Sequence, residues 1–253
     1  GGVKMDRSCT WVLVGGAMHA ARHMEKLVPL LTQGGDTAIA VELPGLGEDA
    51  SDPCAATLES HSAAIVAAVD AATTEAVVLM GHSLAGVTIS AAAEMRSERV
   101  RLCVFLAAET RPGAGWMDTA TNPAPAWLGE GLLTQLDGGL MGITEGKIRQ
   151  LSGIFFAGAS PEDIATYGKL LRPQPHYDEA GLVLTKERFG VIPKAYIKTL
   201  RDDVNLPVHQ DTWIERLGGN VSVQEIDCGH CAFISAPNIL ADVLLHLKCK
   251  SGS

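Results

Sequence analysis

Apolar positions along the 253-residue chain follow two rhythms that take turns. In one, short runs are apolar or β-branched at most places: Thr10–Val14, Thr37–Leu43, Ala76–Met80, Leu102–Ala107, Lys194–Thr199 and Val221–Ile226. Such runs predict strands, and those lacking polar alternation are expected to have both faces covered. In the other rhythm, Met24–Gln33, Leu58–Ala72, Leu84–Met95, Val208–Leu217 and Asn238–Leu247 carry apolar side chains at helical spacing. The alternation of the two predicts an α/β fold, a mostly parallel sheet flanked by helices.

Residues 111–189 break the pattern, with Pro112, Pro123, Pro125, Pro161, Pro173 and Pro175 set among aromatic residues. The expectation is one core domain, residues 1–110 with 190–253, carrying an inserted, mainly helical cap over 111–189. Inside the cap Pro161–Leu171 predicts a helix. Proline suits the first turn, and Glu162 and Asp163 sit where the helix dipole favours acids.

Composition narrows the function. The chain is 47% hydrophobic and 19% charged, the make-up of a globule rather than of a disordered segment. Its net charge of −9 and lack of a basic cluster argue against a nucleic-acid partner. No apolar run reaches the ~18 residues of a membrane span. Lys4, Asp6 and Arg7 interrupt the place of a secretory signal, and six scattered cysteines suit a reducing cytoplasm, so a cytoplasmic protein is expected. The apolar residues of the cap would suit a homodimer contact.

The chemistry centres on Gly81-His-Ser-Leu-Ala-Gly86, which follows the apolar strand and precedes a helical stretch. That context makes it a nucleophile elbow of the Gly-x-Ser-x-Gly kind, with Ser83 on a strained strand-to-helix turn. A serine hydroxyl needs a histidine to take its proton and a carboxylate to hold that histidine. In this arrangement the acid and then the histidine follow the serine in the chain. His230, in the loop after Val221–Ile226, is the candidate base, and Asp202 and Asp203, in the loop after Lys194–Thr199, are candidate acids. Glu109, at the end of the strand after the elbow, is a third. His82 adjoins the serine but is expected to point away from it. An oxyanion hole needs two backbone N–H groups, and Leu84 and Ala17, in the Gly-rich loop after the first strand, are placed to supply them. Met18, His19, Trp116, Trp127 and Phe155 are candidate substrate-binding residues. No cofactor or metal is called for.

These residues carry a resemblance. Gly15-Gly-Ala-Met-His-Ala-Ala-Arg22 is similar to a His-Gly-Ala-Cys-His-Gly-x-Trp segment, and Val41-Glu-Leu-Pro-Gly-Leu-Gly47 to Asp-Leu-Pro-Gly-His-Gly, of one α/β-hydrolase branch. That branch holds plant methylesterases, hydroxynitrile lyases and bacterial pyrethroid-hydrolase-like esterases. Leu171-Arg-Pro173, Lys186-Glu-Arg-Phe-Gly190, and Leu206-Pro207 with Gln210 and Trp213 match as well. The resemblance implies an α/β-hydrolase fold and cleavage of a carboxylic ester or lactone of a small, largely apolar substrate. It puts Asp202 on the family's acid, His230 on its base, and Ala17 and Leu84 on its oxyanion donors. The lyases of the branch carry a lysine after the histidine, where this chain has Cys231, so lyase activity ranks below hydrolysis.

Two other classes compete. Cys228-Gly-His-Cys231 has the spacing of a dithiol redox motif, which needs a following helix, and Ala232–Pro237 does not predict one well. A catalytically silent small-molecule receptor on the same fold is the other.

Overall fold

The computed structural model describes residues 8–110, 124–177, 182–219 and 221–250. Six strands, β1 (Cys9–Val14), β2 (Thr37–Ala40), β3 (Ala76–His82), β4 (Val100–Leu106), β7 (Lys194–Thr199) and β8 (Val221–Ile226), make one sheet in the order β2-β1-β3-β4-β7-β8. Every neighbouring pair in it is parallel. β5 (Leu133–Gln135) and β6 (Met141–Ile143) form a separate antiparallel ribbon. The helices are α1 (Val28–Thr32), α2 (Leu58–Ala71), α3 (Ala85–Met95), α4 (Ile148–Phe155), α5 (Pro161–Gly168), α6 (Pro207–Leu217), α7 (Ala232–Ser235) and α8 (Pro237–Lys250).

The central strands are mostly apolar because each feeds two cores. Cys9, Trp11 and Leu13 of β1, Val78 and Met80 of β3, and Leu102, Val104 and Leu106 of β4 join one cluster with α8 and with α4 and α5. The alternate residues, Val12 and Val14, Val77 and Leu79, and Cys103 and Phe105, join a second cluster with α2 and α3. A period of two thus sends successive side chains of one strand into opposite layers.

Three expected elements differ. The helix expected over Met24–Gln33 is a 3₁₀ turn at Ala21–Met24 and a separate α1. Pro29 lies in the first turn of α1, and having no N–H to give it cannot stand further inside a helix. β2 stops at Ala40, after which Glu42 turns its carboxylate to the amides of Ala21 and Glu48. The 124–177 stretch adds the β5–β6 ribbon to its helices, with Gly138 and Gly139 at positive φ of 72° and 78° turning the chain between the strands. Where local signals are strong they hold. Ser160 caps α5 by accepting from the Asp163 N–H at 3.1 Å, with Pro161 next in line.

One ion pair ties the two ends of the core together. Asp36, just before β2, accepts from Lys248 of α8 through both oxygens at 2.9 Å, and from the Cys9 N–H and Trp11 Nε1 at 2.9 Å each. Burial alone would raise the Asp36 pKa, but these donors hold it below its usual value. Both residues are buried, so removing the carboxylate strands an ammonium. Asp36→Ala is expected to cost about 3–5 kcal/mol of unfolding free energy, read by urea denaturation.

Candidate active site

In a parallel sheet all carboxyl ends lie along one edge, and β1, β3, β4, β7 and β8 each send a loop from it. Ser83 is the first residue after β3 and has φ of +55°, a left-handed backbone that costs a non-glycine residue about 1–3 kcal/mol. The surroundings enforce it. The Ser83 N–H donates to the Leu106 carbonyl at 3.1 Å, and its own carbonyl accepts from Gly86 and Glu109 at 3.0 Å each. A Cβ on Gly86 would stand 1.8 Å from the Glu109 carbonyl oxygen, and one on Gly16 would stand 2.6 Å from the Ser83 Cβ. Ala85, not a glycine, occupies the last place of the Gly-x-Ser-x-Gly spacing, so Gly86 one residue later supplies the close approach of α3.

Of the three candidate acids the structure joins one to His230. The His230 Nδ1–H donates to Asp202 Oδ2 at 2.8 Å, with both side chains buried. The same oxygen accepts from Thr199 Oγ1 at 2.8 Å and Gln210 Nε2 at 3.4 Å. The other takes the Val204 and Asn205 amides at 2.8 Å each. Asp203 points outward and is exposed, while Glu109 is buried and lines the pocket beside Ser83. With Nδ1 as donor, Nε2 of His230 is left as the acceptor, the tautomer being assigned from its partner.

One pocket gathers Ala17, Met18, His19, Ser83, Leu84, Glu109, Trp127, Leu133, Met141, Phe155, Val204, Asn205 and His230. Ser83 and His230 thus face a common space, though the hydrogen bonds among the described residues do not include one between them. Bonds of this type commonly tighten only when substrate is bound. Ala17 and Leu84 both line the same pocket, and among the described residues neither N–H is taken by a carbonyl or a side chain. The predicted lining residues Met18, His19, Trp127 and Phe155 are all present. Trp116 lies outside the described residues. Asn205 went unnoticed in the sequence, and its Nδ2 donates to the Ala107 carbonyl at 2.6 Å, bracing the acid loop against the end of β4.

A family profile described as the alpha/beta hydrolase family matches residues 11–243. The chain belongs to that family. This hydrolase is 28% identical to the salicylic acid-binding protein 2 of Nicotiana tabacum, over 95% of the chain and 97% of that relative. It is 27% identical to a pheophorbidase of Raphanus sativus, over 95% and 94% of the two chains. The solved structure of polyneuridine aldehyde esterase superposes with a TM-score of 0.83 at 25% identity, over 95% of this chain and 99% of that one. Together with an Arabidopsis thaliana methylesterase 26% identical over 93% of the chain and 92% of its own length, these place the hydrolase in the methylesterase-like branch. Among the described residues no helix is long and apolar enough to cross a membrane.

Beside the pocket the hydrolase packs four imidazoles in tilted and edge-on contacts. Ring centroids of His23 and His19 lie 4.7 Å apart, of His19 and His82 5.2 Å, and of His82 and His230 4.4 Å. His82 is not among the residues that line the pocket, and its Nε2–H donates to the His230 carbonyl at 3.2 Å. The His19 Nδ1–H donates to the Ala17 carbonyl at 2.7 Å, which leaves Nε2 to accept from the Cys231 thiol at 3.4 Å. His19, His82 and Cys231 hold ligand-type atoms within 4.8 Å of one another. His19 Nε2, Cys231 Sγ and His82 Nε2 take part in these hydrogen bonds and prop the loop of His230, while His82 Nδ1 is buried without a partner among the described residues.

The dithiol reading does not survive these surroundings. A short helix, α7, does follow Cys231, contrary to expectation, because Ala232–Ser235 sinks its apolar side chains into the core. Reactive thiols need a lowered pKa, however. Burial, with Asp202 nearby, pushes Cys228 up to about 12 and holds Cys231 well above its ordinary value.

Burial also holds the supporting imidazoles neutral. It lowers His23 from 6.5 to about 4 and His19 and His82 well below their ordinary value, neighbouring rings adding repulsion for the last two. His23 Nδ1 accepts from the Ala20 N–H at 2.9 Å, so a proton there would face another donor. From pH 6.5 down to about 4 the unfolded chain takes up a proton that native His23 refuses, and stability falls with pH. The fall is expected to reach about 1.4 kcal/mol per pH unit for each such ring, and His23→Gln should flatten it in urea titrations at stepped pH.

Proposed function

We propose that this protein is a carboxylic ester hydrolase that cleaves esters or lactones of small, largely apolar substrates through an acyl-enzyme, with Ser83, His230 and Asp202 as its triad. The observation that carries this reading is the 2.8 Å bond from His230 Nδ1 to a fully hydrogen-bonded Asp202, set in the pocket that Ser83 lines at positive φ. Ser83 Oγ attacks the carbonyl carbon while His230 Nε2 takes its proton. The carbonyl oxygen, now anionic, accepts from the Ala17 and Leu84 amides. Collapse of the tetrahedral intermediate breaks the bond to the leaving oxygen, which collects the proton from His230. Water repeats the cycle on the acyl-serine and releases the acid.

Trp127, Leu133, Met141, Phe155 and Val204 give the pocket its apolar walls, which supports an apolar acyl or alkyl group. Four of these five side chains belong to the interval 111–189, and we read that interval as the cap that selects the substrate. Lyase chemistry finds less support, since the place of the lyases' lysine is held by Cys231, buried and bonded to His19. The six free cysteines favour a cytoplasmic setting.

Ser83→Ala is expected to lower kcat on p-nitrophenyl acetate by at least about 10³-fold, and Asp202→Asn by about 10⁴-fold, with circular dichroism unchanged. A silent receptor would turn over no ester in the parent, and a Ser83→Ala variant as fast as the parent would remove the triad. A panel of methyl esters, aryl esters, lactones and cyanohydrins, read by kcat/KM, separates the substrate classes.

A further inference from the structure

We infer that Gln174 is a positioning residue for the oxyanion hole, through which the segment after α5 fixes the loop that carries Ala17. The inference rests on Ala17 being an oxyanion donor, as proposed above. It begins with Met18, which lines the pocket and has φ of +68°, a conformation that a methionine holds only when its neighbours impose it.

The imposing groups come from far along the chain. Gln174 Oε1 accepts from the Met18 N–H at 2.9 Å, and the Arg172 N–H donates to the Met18 carbonyl at 3.1 Å. The carbonyl of the same Ala17–Met18 peptide, that of Ala17, accepts from His19 Nδ1 at 2.7 Å. This peptide is therefore clamped at both its ends, one by Gln174 and one by His19, and cannot swing without breaking a buried bond. A swing would turn the adjoining Ala17 N–H away from the developing negative charge.

Gln174 is itself rigid. It is 4% exposed, its Nε2 donates to the Pro175 carbonyl at 3.0 Å, and its main chain exchanges two bonds with Met141, at 2.8 and 2.9 Å. Met141 is a pocket wall, so one short segment sets the donor geometry and one side of the substrate space together. Because the oxyanion forms only as the reaction proceeds, an error in donor placement weakens the transition state and leaves ground-state binding nearly untouched.

The experiment compares the parent with Gln174→Leu, which removes the acceptor at similar volume, and Gln174→Glu, which keeps an oxygen for the Met18 N–H. On an ester that the parent cleaves, Gln174→Leu is expected to lower kcat about 10- to 100-fold, with KM within about threefold, and Gln174→Glu to recover part of the loss. A trifluoromethyl ketone, whose adduct places an oxyanion in the same hole, should lose affinity in step with kcat/KM. Hydrogen exchange of residues 15–19, followed by mass spectrometry, should speed up about tenfold in Gln174→Leu. Unchanged kcat in a folded variant with unchanged exchange overturns the inference, as does a lowered Tm with kcat intact. Should Gln174→Leu fail to fold, kcat and exchange in Gln174→Glu decide in the same way: parental KM with a partial loss of kcat supports the clamp, and parental values of both kcat and exchange overturn it. A parent that cleaves no ester refutes the proposed function instead, and the exchange rates still decide for or against the clamp.

Discussion

The site depends on one buried carboxylate being completely satisfied. Asp202 takes hydrogen bonds from Thr199, Val204, Asn205 and Gln210 as well as from His230, so the loop after β7 closes around an anion that would otherwise be costly to bury. Gln210 links this to the sheet, since its amide also spans the Thr199 main chain and the Asn205 carbonyl. His230 enters from the neighbouring strand's loop, 28 residues on. Two parallel strands in register therefore do the work of bringing the pair together, and the loops need only finish the geometry.

Strain is concentrated where the chemistry would need it. Among the described residues the non-glycine positions at positive φ are Met18, Ser83 and Ala107. Ser83 is the candidate nucleophile, Met18 follows the candidate oxyanion donor, and the Ala107 carbonyl receives Asn205 of the loop that carries the candidate acid. Each is over-determined by main-chain bonds to a neighbouring strand or segment, the condition under which such conformations persist.

The sequence was most legible where the signal is local and repetitive. Apolar runs locate β1, β3 and β4 to within a few residues, because burial of both faces leaves little other composition for them, whereas β2, β7 and β8, with half-buried or exposed positions, are legible from their β-branched and aromatic residues. The elbow was readable because a strand, a serine two residues after Gly81 and shortly before Ala85 and Gly86, and a helix must follow one another in a fixed order. Asp202 could not be chosen over Asp203 or Glu109 from the residues alone, since adjacent loop carboxylates differ only in which way they point, and that is set by Gln210 and the sheet. Gln174 was invisible for a related reason. Its partner Met18 is 156 residues away, and nothing in a Pro-Gln-Pro stretch announces a tertiary contact.

The row of tilted imidazoles completes the logic of the site. Four histidine rings lie in a row, yet only His230 among them has a carboxylate as its direct partner; the others are bonded to main-chain groups and a neutral thiol. Burial and mutual repulsion keep His19 and His82 uncharged. In the proposed mechanism a proton taken from Ser83 would go to the one ring of the four that faces a carboxylate. The neutral rings serve as rigid polar packing that hydrogen-bonds the Ala17 carbonyl on one side and the His230 carbonyl on the other. In this way the loop that would supply the oxyanion donor and the loop that carries the candidate base are held by a single layer, and displacement of either is opposed by bonds that reach the other.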